Sequence, residues 1–209
     1  TVKIIILSST GNVFSNGMDF RELSQKDSLD ELVGFSGVYY DLLLKIASID
    51  KVVISLVEGR VNAGGMGFIA ASDIVIGNSQ ASFSLSEALF GLVPACVFPF
   101  LSKRIGFQKT HFMSISSNVI SADKAFGIGL IDELDNNLED TLRRLKLRIL
   151  KMKPSTFGVL KRYSQEIHGL SKESKEIALD CLREISKNEQ VHNDIKQFIT
   201  KNKMPWETA

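Results

Sequence analysis

The passage that most limits what this chain can fold into is KVVISLVEGRVNAGGMGFIAASDIVIGN, residues 51–78. It joins a continuous apolar run to a turn with three glycines in four positions, then to a second apolar run. A strand that is apolar at successive positions, not alternate ones, is buried on both faces and sits in a sheet covered by helices. Without side chains at Gly64, Gly65 and Gly67, the backbone can approach a ligand closely. It can also present N–H groups at a helix N-terminus, where negative charge is stabilised. Tight helix–sheet packing would explain a bare GGxG equally well, so the turn alone decides nothing.

The neighbouring segments support an α/β chain with helices layered on buried strands. Val2 to Leu7 is β-branched and stops at SSTGN, which predicts a buried strand ending in a turn. Residues 51–59 predict a second strand, Ser72 to Ile76 begins a third apolar run, and Ser82 to Ser84 predicts a short fourth. Between the first two strands lie a polar, helix-permissive stretch, RELSQKDSLDELVG, and then SGVYYDLLLKIASID. In the latter, Tyr39, Leu42, Leu43, Ile46 and Ile49 follow helical spacing. From Leu138 the pattern becomes long helices. Leu138, Leu142, Leu145, Ile149 and Met152 predict one apolar face that ends before Pro154, and further helices are expected at about 155–168 and 171–199. The chain thus divides into a core, 1–137, and a helical region, 138–209, of the same structural unit.

At 209 residues and 44% hydrophobic content, one domain can bury most of its chain surface. Cys96 and Cys181 lie far apart, and His111, His168 and His192 are scattered, so no metal-ligand spacing exists and no metal is expected. Cys96, in LVPACVFPF, reads as a small core residue. The opening TVKIIILSST carries neither a cationic region nor a cleavage site, and no apolar stretch is of membrane-spanning length. A soluble, cytoplasmic protein with no membrane or nucleic-acid partner is expected. The charge is uneven: residues 141–209 hold 15 of the 25 Lys+Arg but 8 of the 24 Asp+Glu. Such a basic region reads either as solvated helix faces or as attraction to phosphate or an acidic carrier protein.

Four motifs in order carry a resemblance: VFSNGMDF (13–20), EGRVNAGGMGFIAASD (58–73), FSLSEALFGLVP (83–94) and ISADKAFGIGLID (120–132). Together they resemble the crotonase (enoyl-CoA hydratase/isomerase) superfamily over almost the whole chain. The resemblance implies a spiral of ββα repeats with a C-terminal helical region used in oligomer packing, and a homotrimer or hexamer. It also implies no cofactor beyond the substrate's own phosphopantetheine or CoA carrier. Family members have some tens of residues ahead of the strand matching TVKIIIL, so a shortened or absent first repeat is expected.

The resemblance also implies roles. Two backbone N–H groups, matched here to Met18 and Gly64, would form an oxyanion hole for a thioester carbonyl; losing one such donor costs about 2.7–4 kcal/mol of transition-state stabilisation. Asp19 matches an acid that supports the oxyanion loop. Hydratases of the family use two glutamates. One matches Glu87, expected to be catalytic, but the other position is Gly67. A single carboxylate can still take the proton α to a thioester and return it to a departing hydroxyl or to another carbon. Set among Leu85, Ala88, Leu89 and Phe90, Glu87 would be partly desolvated and a stronger base. Asn62, Gly65, Gly67 and Ser86 stand beside these groups as substrate-binding candidates.

Within the superfamily, VNAGGMGFIAASD, FSLSEALFGLVPACVFPFL, RIGFQK and PWE are similar to the dehydratases of polyketide synthase β-branching cassettes. That similarity implies dehydration of a 3-hydroxy-3-methylglutaryl group on an acyl carrier protein to the 3-methylglutaconyl form. The alternatives are a Δ3,Δ2-enoyl thioester isomerase, a β-oxidation enoyl-CoA hydratase, and a catalytically silent subunit of the same fold.

Overall fold

The computed structural model describes residues 2–19 and 30–207. The strands lie in two sheets, and the first six alternate between them. β1 (Ile4–Leu7), β3 (Val52–Val57), β5 (Ile74–Gly77) and β8 (Glu133–Leu134) form one in the order β1-β3-β5-β8; β2 (Val13–Ser15), β4 (Arg60–Asn62), β6 (Ser82–Ser84) and β7 (Ile120–Ser121) form the other in the order β2-β4-β6-β7. All pairs are parallel except the antiparallel β6–β7. As far as β6, each turn of the chain therefore lays one strand in each sheet before a helix returns it; β7 then joins β6, and β8 returns to the first sheet. α1 (Asp30–Ser48) follows β2, and α2 (Gly65–Ala71) follows β4. This is the ββα spiral expected from the motifs.

The buried β3 run has Val52, Val53, Ile54, Ser55 and Val57 all below one-tenth exposure, as a central parallel strand requires. Its lone polar side chain is satisfied, since Ser55 Oγ and Ser72 Oγ lie 2.8 Å apart. β1 departs from expectation: it is an edge strand among the described residues, and its side chains are half-buried, not enclosed.

Helix α1 buries Leu43 and packs Tyr39 and Ile46 against the core as expected, but its inward face extends further. Leu32, Ser36, Tyr40, Leu43 and Ala47 point inward, while Leu42 is 46% exposed. Tyr40 wins over Leu42 because its hydroxyl lies 2.7 Å from Ser174 Oγ, and its ring packs edge-on to Phe100 at 5.2 Å. Most of the polar stretch before this helix lies outside the described residues, but its last positions, from Asp30, are helical.

After β6 come a 3₁₀ turn (Glu87–Phe90), α3 (Phe98–Ile105), α4 (Phe107–Ser116), α5 (Ala122–Gly127), and then α6 (Leu138–Ile149), α7 (Pro154–Ile167), α8 (Lys172–Ile185) and α9 (Glu189–Lys201). α6 ends at Ile149, earlier than its apolar spacing predicts. Met152 is 45% exposed, and Lys153 is extended, as a residue before proline prefers. The expected single helix over 171–199 is two, because Asn188 accepts the Gln190 N–H and caps a new helix.

The C-terminal helices lean on the chain's own core. Lys161 of α7 is buried, donating to the Lys51 carbonyl (2.9 Å) and pairing with Asp73 (2.7 Å). On α8, Lys175 pairs with Asp41 at 2.7 Å. α9 closes a separate apolar cluster of Leu32, Phe90, Leu92, Val191 and Ile195, with Phe90 and Phe198 rings edge-to-face at 5.0 Å. That cluster braces the 3₁₀ turn that begins with Glu87. No helix of the described residues is long and apolar enough to cross a membrane, and none of their His, Cys, Asp and Glu side chains group to hold a metal.

Candidate active site

Two loops interlock where β2 and β4 end. Gly17 has a φ of +86°, open to glycine at little cost, and a Cβ there would lie 2.9 Å from Ala63 Cβ and 3.0 Å from the Gly64 nitrogen. Gly65 sits equally close to the other loop, since its Cβ would stand 2.7 Å from Ser15 Cβ. Only glycines allow this approach, and it brings the segment ending in Met18 and Asp19 against the Gly64 amide. Side chains fasten the loops further. Ser15 Oγ accepts the Gly17 N–H at 3.2 Å, and Arg60 Nε donates to Asn16 Oδ1 at 3.1 Å.

The glycine turn itself is tightly wound. Ala63 takes a left-handed φ of +47°, unusual for a residue with a Cβ, and its N–H is held by the Ser84 carbonyl at 3.1 Å. Gly64 caps α2; the N–H groups of Met66 and Gly67 donate to the carbonyls of Ala63 and Gly64 at 2.9 and 3.1 Å. The Gly64 N–H itself has no acceptor among the described residues, as expected of a first-turn donor. Met18 is 40% exposed, which leaves its backbone as the part the loop holds in place.

Glu87 opens the 3₁₀ turn behind β6. Burial pushes its carboxyl up to about 7, against the pull of hydrogen bonds from the backbone amides of Glu87 and Ser86. Its Oε2 is buried and has no partner. A buried carboxylate oxygen left unpaired is costly, and such groups concentrate at functional sites.

Asn62 and Ser86 form a bridge beside it: Asn62 Nδ2 donates to Ser86 Oγ at 2.9 Å, and Asn62 Oδ1 accepts from Ser84 Oγ at 2.8 Å. Both ends of the Asn62 amide are thus turned to the strand and turn that carry Glu87. Cys96 is buried in the core, where desolvation pushes its thiol up to about 11, so it stays a thiol.

Gly67 lies inside α2 and faces α1. A Cβ there would fall 2.0 Å from the Tyr39 hydroxyl oxygen and 2.9 Å from Leu43 Cδ1. The Tyr39 hydroxyl donates to the Gly64 carbonyl in a short hydrogen bond. Sequence reasoning placed Tyr39 only on a helix face. The signal that points to it is Gly67 itself: where a side chain is missing from a buried position, another fills the space. Two surface concavities of the described residues lie elsewhere, one among the turns at Gly11, Asn12, Glu58 and Asn78, the other on α7 around Val159 and Tyr163.

The profile of the enoyl-CoA hydratase/isomerase family matches residues 1–209. The chain is 37% identical over 208 residues to the bacillaene synthase dehydratase PksH of Bacillus subtilis (strain 168), covering 99% of this chain and 80% of that one. A crystal structure of a polyketide biosynthesis enoyl-CoA hydratase (PksH) from Bacillus subtilis superposes with a TM-score of 0.84 at 36% identity, covering 94% of this chain and 79% of that one. An enoyl-CoA hydratase structure from Mycobacterium avium paratuberculosis matches the fold at a TM-score of 0.85 and 21% identity, over all of this chain and 80% of that one.

Proposed function

The chain belongs to the enoyl-CoA hydratase/isomerase family, and from that premise we propose that it dehydrates a 3-hydroxy-3-methylglutaryl thioester held on an acyl carrier protein, giving the 3-methylglutaconyl form. The observation that carries this reading is the buried, unpaired Oε2 of Glu87, with no side chain at Gly67. The similarity to a polyketide dehydratase supports the substrate class.

In this reading the thioester oxygen accepts the Gly64 and Met18 N–H groups, which makes the α-proton acidic by holding the negative charge of the enolate. Glu87 Oε2 takes that proton. As the enolate collapses, the α,β double bond forms and the bond from the β-carbon to its hydroxyl breaks. The proton now on Glu87 passes to the departing hydroxyl, so water leaves and the carboxylate is restored. One group suffices because proton and hydroxyl depart from the same face. The raised Glu87 suits a base and acid working near neutral pH.

The basic C-terminal third supports an acidic carrier protein as partner. Exposed Phe107, Phe112 and Ile115 on α4, and Val159, Leu160 and Tyr163 on α7, support the trimer or hexamer as the assembly in which the enzyme works.

The test is intact mass spectrometry of an acyl carrier protein loaded with 3-hydroxy-3-methylglutaryl-phosphopantetheine, incubated with the protein and with its Glu87→Ala form. Loss of one water with the native chain alone is expected. Water lost equally with both forms would remove Glu87 from the reaction. No loss with either would overturn the dehydratase, and movement of the double bond in a Δ3-enoyl thioester would then identify an isomerase.

A further inference from the structure

Resting on that reading, we infer that Tyr39 is a positioning residue of the site: its phenol stands where a side chain at position 67 would project, and fixes the Gly64 turn from behind. The geometry has three parts. The hydroxyl donates to the Gly64 carbonyl, an oxygen that also accepts the Gly67 N–H, so two donors hold one peptide of the turn. The hydroxyl oxygen occupies the volume next to Gly67, 2.0 Å from where a Cβ would be. The ring is itself held, packed edge-on to Phe68 at 5.6 Å on the helix that the turn begins.

These contacts give the phenol a definite task. The Gly64 N–H can stabilise charge only if its peptide is already aimed before the reaction, because a preorganised donor costs no reorientation when charge develops. Ala63 holds a left-handed conformation that the chain would relax if it could. The Tyr39 hydrogen bond, one residue further along, opposes that relaxation. Burial pushes the phenol well above its ordinary value, and the nearby Cys96 and Glu87 add to the effect, so Tyr39 is a neutral donor near the neutral pH at which Glu87 works.

A second consequence concerns proton traffic. With the phenol in place, position 67 cannot carry a second carboxylate without displacing it, and Glu87 must both take and return the proton. Tyr39 thus sets the one-carboxylate character of the site as well as the aim of the turn.

The experiment compares the native chain with Tyr39→Phe, Gly67→Ala and the double variant, measuring kcat, KM and melting temperature on the loaded carrier protein. It also records the carbon-13 resonance of the thioester carbonyl of bound 3-methylglutaconyl-phosphopantetheine carrier protein. Tyr39→Phe keeps the ring packing, so folding is expected to survive while kcat falls about tenfold, the equivalent of one well-made hydrogen bond, with KM little changed. The carbonyl resonance is expected to shift less on binding than with the native chain. Gly67→Ala alone is expected to lose more than tenfold, and part of that loss is expected to return in the double variant, because the hydroxyl it collides with is gone.

Native kcat and carbonyl shift retained in Tyr39→Phe would overturn the inference, as would strictly additive losses in the double variant. A native chain that releases no water refutes the dehydratase reading instead, and in that case the additivity test is read on melting temperature alone.

Discussion

Replacing Glu87 by Gln gives a prediction in which stability and activity move in opposite directions. The Glu87 carboxyl stands at about 7 in the folded chain against an ordinary value of 4.5, chiefly because burial disfavours its charge. Below pH 4.5 the group is neutral whether the chain is folded or not, so it contributes no pH dependence. Between 4.5 and 7 the unfolded chain releases its proton while the folded chain keeps it, so native stability falls as pH rises. The loss is complete above about pH 7 and amounts to about 3 kcal/mol. Gln has the shape of the neutral acid and cannot ionise. The variant should therefore match the native chain near pH 4 and exceed it by about 3 kcal/mol at pH 8, roughly 6–12 °C in melting temperature for a chain of this size. The assay is urea or thermal unfolding of both forms at intervals from pH 4 to 8.5, with dehydration of the loaded carrier protein measured on the same samples. Activity of the native chain should rise to a plateau through about pH 7, and that of Glu87→Gln should be absent throughout. A stability difference that does not grow with pH, or a variant less stable at pH 8, would refute the claim that Glu87 is held charged at a cost.

Asn62→Ala removes the amide that joins Ser84 to Ser86 and should cost about 1–3 kcal/mol in unfolding free energy, with kcat reduced as the Glu87 turn loosens; native kcat would separate that bridge from the site. Phe198→Ala deletes the ring packed on Phe90, and should cost about 3–5 kcal/mol at most, less if the half-buried site collapses. Because α9 braces the turn that carries Glu87, its kcat should fall while Tyr39 and Gly64 remain in place, and unchanged kcat at full occupancy would show that the brace does not reach the carboxylate.

Local parts of the fold, whose cause lies within a few residues, were legible along the chain. The largely β-branched run at 52–57 is buried strand because Ser55 is its only polar side chain, and residues 82–84 form the short strand expected of them. The glycines of NAGGMG mark the turn because a backbone without Cβ atoms can wind tightly there. The motifs around Met18, Gly64 and Glu87 were legible as a family pattern.

The remaining features depend on partners distant in the chain. Through β6, strands adjacent in sequence lie in different sheets, β3 and β5 pairing across β4, because each finds its hydrogen bonds with the strand one repeat away; β6 and β7 instead pair with each other. Helical spacing admits both Leu42 and Tyr40 as inward residues of α1. Tyr40 is chosen by Ser174 and Phe100, which lie 134 and 60 positions further on. Tyr39 beside Gly67 was invisible for the same reason: the sequence shows that a side chain is missing, but packing density, which acts on neighbours in space, determines what fills the gap.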